Sequence, residues 1–296
     1  MSQAQAMPQQ KTAVAKYLSL VKFSHTVFAL PFAFIGFTLA VAYERQTFHW
    51  HLLVLMLLCM VFARSAAMAF NRYLDRKFDA LNPRTAQREV PAGIIKPQHA
   101  LIFTIVNCVL FVMATYFINS ICFYLSPVAL FVILFYSYTK RFTALCHLVL
   151  GVGLALAPIG AYLTVTGYFQ WLPLIFSFVV LNWVSGFDII YAMQDEDFDR
   201  GQKLHSIPTA LGKNGALKVS NTLHIISALL VFAAGYLGHL HLLYWIGAAF
   251  FAGLLVYQHT LVKPNDLSKV NIAFMTTNGI ASIVFAVFVI ADLLFF

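Results

Sequence analysis

Long apolar runs, each broken by a short polar stretch, decide what this chain can fold into. About nine of them are long enough to cross a bilayer, which takes about 20 apolar residues in a helix. They cover residues 26–42, 52–70, 100–118, 121–138, 145–166, 172–193, 219–237, 240–262 and 272–295. Backbone groups cannot go unpaired in lipid, and runs this continuous are too long for barrel strands. The expected architecture is therefore an all-α integral membrane bundle of about nine transmembrane helices. Composition agrees: of 296 residues, 61% are hydrophobic and 10% charged, where a soluble domain carries about 25% charged residues. Residues 1–12 are polar and Gln-rich and are expected to form a disordered tail, with 13–296 a single transmembrane domain.

The placement of Lys and Arg sets an expected topology. With the N-terminus in the cytosol and sides alternating, the cytosolic face collects Lys11, Lys16, Lys22, the basic residues from Arg72 to Lys96, Lys140, Arg141, Arg200, Lys203, Lys213, Lys218, Lys263 and Lys269. Only Arg45 falls on the other side. Such asymmetry is the positive-inside pattern. It also explains a formal net charge of +8 through the membrane surface, so nucleic acid is not an expected partner.

Two acidic clusters stand out in this charge-poor chain. Asn71, Asp75 and Asp79 are spaced i, i+4, i+8, and Asp188, Tyr191, Asp195 and Asp199 are spaced i, i+3, i+7, i+11. Each set shares one face of a helix. A solvated helix end balanced by Lys and Arg is the plain alternative for either cluster alone. Two clusters with matched spacing, both on the expected cytosolic face, point instead to a divalent cation held together with phosphate. Mg²⁺ takes one or two carboxylates and fills its remaining positions with water and phosphate oxygens. Nearby Lys and Arg would hold the remaining phosphate charge.

Other residues carry weaker signals. Arg64 lies inside the second span, on the Asn71 face, where a charge should meet a cavity or a partner unless it snorkels to the interface. Lys140 and Arg141 end a span, where positive-inside bias alone accounts for them equally well. Lys22 and His25 flank the first span and serve equally as interface anchors or as contacts for an anionic acceptor. Cys59, Cys108, Cys122 and Cys146 read as small buried hydrophobes. The remaining histidines show no metal-ligand spacing.

The combined pattern resembles a known family. Asn71-x-x-x-Asp75-x-x-x-Asp79 and Tyr191-Ala192-x-x-Asp195-x-x-x-Asp199, with Arg84-Thr85, Arg88, Pro91-x-Gly93 and Lys140-Arg141, resemble the UbiA superfamily of intramembrane aromatic prenyltransferases. The likeness spans nearly the whole chain and is greatest to the 4-hydroxybenzoate polyprenyltransferase branch. Within that branch, Lys22-Phe23-Ser24-His25-Thr26-Val27-Phe28-Ala29-Leu30-Pro31-Phe32 looks like a bacterial subgroup associated with menaquinone made through futalosine, which implies a dihydroxynaphthoate acceptor. The resemblance implies that Asn71, Asp75, Asp79, Asp195 and Asp199 hold two Mg²⁺ ions bridging a polyprenyl diphosphate. It further implies phosphate or lid contacts from Arg84, Arg88, Lys140, Arg141 and Lys203; Tyr191, within the matched motif, and Arg64, from its place inside a span, are further candidate substrate contacts. Many members have Asp directly after the motif's Asn, where this chain has Arg72. No metal role is therefore carried to position 72, which is assigned instead to phosphate or to an acceptor carboxylate. Asp188 is one candidate for helping the loss of the aromatic ring's proton or for orienting a partner. The implied setting is a bacterial inner membrane, with the site facing the cytosol.

An ion-coupled transporter is the competing class. Its carboxylates should lie near the bilayer midplane on broken helices, often in inverted repeats. Here they fall at helix ends, and no convincing repeat is visible.

Overall fold

The computed structural model describes residues 13–21 and 28–296. Expectations placed on residues 1–12, and on Lys22 and His25, lie outside the described residues. The described chain is helical: α1 (Ala13–Leu20), α2 (Leu30–Thr38), α3 (Trp50–Leu81), α4 (Pro97–Tyr116), α5 (Ser120–Thr139), α6 (Cys146–Thr166), α7 (Trp171–Ala192), α8 (Glu196–Gly201), α9 (Ile207–Leu237), α10 (Leu242–Leu261) and α11 (Asn278–Phe295). π-helical turns extend α2 through Leu39–Tyr43 and precede α11 at Ile272–Thr277. Eight helices among the described residues are long and apolar enough to cross a membrane. At the place of the first expected span stands the shorter apolar helix Leu30–Tyr43. The chain is thus a multi-pass helical membrane protein.

Two differences from the hydropathy reading matter for function. α3 continues past the apolar run to Leu81, so Asn71, Asp75 and Asp79 do ride one unbroken helix. The connection between the expected spans 172–193 and 219–237 is mostly helical, since α8 lies near its start and α9 begins at Ile207. Hydropathy misses that start because the segment is polar. Local chemistry fixes it: the Ser206 hydroxyl accepts the Thr209 N–H at 3.2 Å, and the Thr209 hydroxyl accepts the Ser206 N–H at 2.8 Å. This reciprocal cap, with Pro208 in the first turn, is a strong helix start. Gly212 then kinks α9 at φ 65°, a backbone angle that only glycine adopts at little cost.

The interior divides in two. α2, α7, α10 and α11 surround a packed aromatic core of Phe32, Phe176, Trp183, Phe251 and Phe285. Trp183 stands within 5.3 Å of Phe32 and 5.8 Å of Phe251, ring centre to ring centre. Its indole N–H donates to Asn278 Oδ1 at 2.8 Å, satisfying the one polar atom of the cluster's largest ring. α4 and α5 instead present an outer belt including Ile102, Ile105, Val109, Val128 and Phe131, all exposed, as expected of a surface whose solvent is lipid.

Close helix approach depends on glycine at α2–α6, because small residues are what allow backbones to meet in a membrane. A Cβ at Gly36 would lie 2.0 Å from the Pro158 carbonyl oxygen. Replacing Gly36 with Val should therefore lower the melting temperature in detergent, since overpacking costs about 1–3 kcal/mol. Gly253→Ala, where a Cβ meets nothing within 4 Å, should leave the melting temperature unchanged or slightly raised.

Candidate active site

Three polar connections converge at one end of the bundle: residues 82–96 after α3, residues 140–145 between α5 and α6, and the α7–α8 junction. They enclose a cavity of about 250 Å³. Eleven of the residues expected from sequence line it: Asn71, Asp75, Asp79, Arg84, Arg88, Lys140, Arg141, Asp188, Tyr191, Asp195 and Asp199. The second cluster is not on one regular helix. A 3-10 turn at Met193–Asp195 separates α7 from α8, so helical spacing alone does not describe it, yet its side chains still converge.

Three of the carboxylates are buried and Asp75 is half-buried, which sets aside a solvated helix end. Asp79 is 6% exposed, Asp195 8% and Asp199 1%. Burying a charge is expensive unless it is paired, and each of the four carboxylates meets a cation from a different element. Arg84 makes a two-pronged pair with Asp195, Nε to Oδ1 at 2.9 Å and Nη2 to Oδ2 at 2.5 Å. Arg88 reaches Asp79 at 2.7 Å, Lys140 reaches Asp199 at 2.7 Å, and Arg141 reaches Asp75 at 2.9 Å. Arg84 also donates to the Tyr191 hydroxyl at 3.1 Å and lies over its ring. Tyr191 in turn stacks on Phe274, centres 4.1 Å apart. Burial works against the charge of Arg84, but hydrogen bonds and attraction from Asp195 outweigh it and raise the guanidinium pKa above its ordinary value.

Local folding holds these partners in place. Asn82 Oδ1 accepts the Arg84 N–H at 3.0 Å, an Asx turn that aims Arg84 inward, and Asn82 Nδ2 donates to Asp195 at 3.0 Å. The Thr85 hydroxyl donates to the Asp79 carbonyl at 3.0 Å, tying the loop to the last turn of α3. Arg141 donates to the Ser137 carbonyl at 2.9 Å and so caps the end of α5. Asn71 Nδ2 donates to Asp75 at 2.8 Å while its Oδ1 accepts from Arg72 at 3.0 Å.

Three expected residues stand elsewhere. Arg72 is buried behind Asn71 and does not line the cavity. Lys203 is exposed and outside the lining, with its backbone in the left-handed region at φ 55°. Arg64 lines a second cavity of about 400 Å³, otherwise mostly apolar and bounded by α3 to α6, with Met56, Met60, Leu125, Ile133 and Leu154 among its walls. The two cavities share Tyr136 and Leu150. Two further residues escaped the sequence reading, Asn82 and His147. His147 lies 2.7 Å from Asp188, and its signal was a titratable residue inside an apolar span.

The donor set suits a hard divalent cation. Five aspartates and the side chain of Asn71 line one cavity, and Asp79 Oδ2 is buried without a hydrogen-bond partner. Among the described residues, no three of His, Cys, Asp and Glu converge into a preassembled metal cluster. The carboxylates are spread around the wall, an arrangement suited to Mg²⁺ that takes part of its shell from phosphate.

Comparison with known proteins agrees with this geometry. The model of the UbiA prenyltransferase family matches residues 29–280. The 4-hydroxybenzoate octaprenyltransferases of Aliivibrio salmonicida and Tolumonas auensis are 31% and 30% identical, over 80% and 75% of this chain and 82% and 78% of theirs. The apo structure of a UbiA homolog from Aeropyrum pernix K1 superposes with a TM-score of 0.82 at 31% identity, covering 90% of this chain and 98% of that one. A UbiA homolog from Archaeoglobus fulgidus, bound to DMAPP and Mg²⁺, shares the fold at a TM-score of 0.72 and 21% identity, over 95% of this chain and 100% of that one. The chain belongs to the UbiA prenyltransferase family. It is a membrane-embedded enzyme, which removes the transporter alternative.

Because the Asp195 pair anchors residues 82–96, Arg84→Ala should loosen that loop. Amide hydrogen exchange across 82–96 should quicken, while exchange in the α7–α10–α11 core stays unchanged.

Proposed function

We propose that the chain transfers a polyprenyl group from its diphosphate to a hydroxylated aromatic carboxylate, 4-hydroxybenzoate or a dihydroxynaphthoate, in quinone synthesis. One observation carries the reading: a cavity walled by five carboxylates and four cations adjoins a larger apolar one, with Tyr136 and Leu150 lining both. This is the layout required by a substrate with a charged head and a hydrocarbon tail. The positive-inside pattern puts the site on the cytosolic face of a bacterial inner membrane, and the span of the family match supports one domain over 13–296. The names of the related octaprenyltransferases favour 4-hydroxybenzoate, while the stretch from Lys22 to Phe32 favours the naphthoate.

The diphosphate sits in the polar cavity. Arg84, Arg88, Lys140 and Arg141 exchange part of their pairing with carboxylates for pairing with phosphate oxygens. Asn71, Asp75, Asp79, Asp195 and Asp199 would hold Mg²⁺, which would supply positive charge where negative charge grows on the leaving diphosphate. The C1–O bond breaks and C1 becomes allyl-cation-like. The ring carbon ortho to the phenol hydroxyl attacks C1, and its hydrogen leaves as a proton to Asp188. Tyr191, held by Arg84 and Phe274, offers a π-face to the cation. Arg64, in the apolar cavity beside Tyr136, is placed for the acceptor's carboxylate. Arg72 supports Asn71 from behind, and Lys203, on the exposed rim, is assigned to phosphate capture before closure. The apolar surround keeps water from quenching the cation.

The test uses purified protein in lipid with Mg²⁺, a long-chain polyprenyl diphosphate and each acceptor separately, with products identified by mass spectrometry. Prenylated acceptor should form only with Mg²⁺ and fall at least about a hundredfold in Asp75→Ala and in Asp195→Ala, the scale of losing transition-state charge stabilisation. No Mg²⁺-dependent product with any acceptor would sink the proposal. Asp188→Asn should lower turnover by about 10²–10⁴, the range for a proton-transfer group, with little change in prenyl diphosphate binding. Full activity in that variant removes Asp188 from the chemistry.

A further inference from the structure

His147 occupies the first turn of α6 and is 3% exposed. Its two ring nitrogens face different partners. Nδ1 lies 2.7 Å from Asp188 Oδ2, and Nε2 faces the backbone N–H of Ile207 at 3.4 Å. A peptide N–H can only donate, so Nε2 is the acceptor and bears no proton. The proton of the ring therefore sits on Nδ1, aimed at Asp188. Ile207 opens the short segment of α9 that precedes the kink at Gly212. The geometry thus aims the Nδ1 proton at Asp188, the partner of one nitrogen determining the role of the other.

The ring's own anchorage is firm. The Ser185 hydroxyl, on the same helix as Asp188, lies 3.2 Å from the His147 carbonyl, which accepts from it. The segment leading into Ile207 is itself fastened to the phosphate-side cations, because the His205 N–H donates to the Lys140 carbonyl at 2.7 Å. The orientation of Asp188 is therefore set from the same connection that carries Lys140.

We infer that His147 is the positioning residue of Asp188. Its Nδ1–H holds Oδ2 and leaves Oδ1 to receive the proton from the aromatic ring. The inference rests on the prenyl-transfer reading above.

The experiment uses the full-length protein in lipid, Mg²⁺, polyprenyl diphosphate, and an acceptor either protiated or deuterated at the reacting ring carbon. In the wild type, loss of the ring hydrogen follows slower ionisation, and no primary isotope effect appears on kcat. In His147→Leu, kcat should fall about tenfold or more, within the range of proton-transfer contributions. KM for the prenyl diphosphate should stay unchanged, and a primary isotope effect should emerge. His147→Asn places an amide N–H near the position of Nδ1 and should restore most of kcat and abolish the isotope effect. If the Leu variant does not fold, His147→Met carries the same expectation, with an unchanged melting temperature as the criterion of a folded protein. A folded Leu or Met variant that keeps wild-type kcat, or loses rate without an isotope effect, overturns the inference while leaving the prenyl-transfer reading intact. A wild-type protein that forms no prenylated product overturns both.

Discussion

Carboxylates buried at a membrane protein's rim repel one another and lack the water that would screen them. That constraint organises this molecule. Asp75, Asp79, Asp195 and Asp199 come from two helix ends far apart in sequence, and each is neutralised by a cation from a third or fourth element. The pairs therefore do two things. They make the acidic end tolerable in a low-dielectric setting, and they stitch residues 82–96 and 140–145 over the bundle. The fold of the polar end is a by-product of charge neutralisation. In the proposed reaction, substrate phosphates and divalent cations would enter by exchanging partners, with little need to create new charge in the cavity.

The same economy shapes the intermediate layers. Asn82 serves its own turn with one atom and Asp195 with another. Arg84 spends its donors on a carboxylate and a phenol, and its flat face on that phenol's ring. His147 uses one nitrogen for a helix start and the other for Asp188. Asn82, Arg84 and His147 each join two partners, so a change in one of them is felt by the others it holds.

Much of this was legible in the residues. Apolar runs and the placement of Lys and Arg specify a helical membrane bundle, and the carboxylate spacings specify where its chemistry lies. What escaped has physical causes. The start of α9 was hidden because hydropathy reports lipid compatibility and is blind to a polar helical turn, although Ser206, Pro208 and Thr209 spelled out the cap. The 3-10 turn at Met193–Asp195 is a tertiary adjustment that no local pattern encodes. Asn82 and His147 act through partners more than forty residues away, and one-dimensional spacing carries no record of such pairs. Lys140 and Arg141 were ambiguous because a snorkelling cation and a ligand-binding cation look alike until their partners are seen.

The unequal interior has a further consequence. Around Trp183 the bundle is a keel, dense with interlocked rings and closed to change. Opposite it, α3 to α6 form a sleeve around open space, lined by the pliant side chains of Met56, Met60 and Leu125. Replacements at Met56 and Met60, which pack in a cluster separate from the Trp183 rings, alter what the sleeve accommodates with the least effect on the keel, against which Leu125 packs. A lineage can thus retune the length of hydrocarbon it carries by drift in one half of the molecule, while the half that aligns the chemistry stands still.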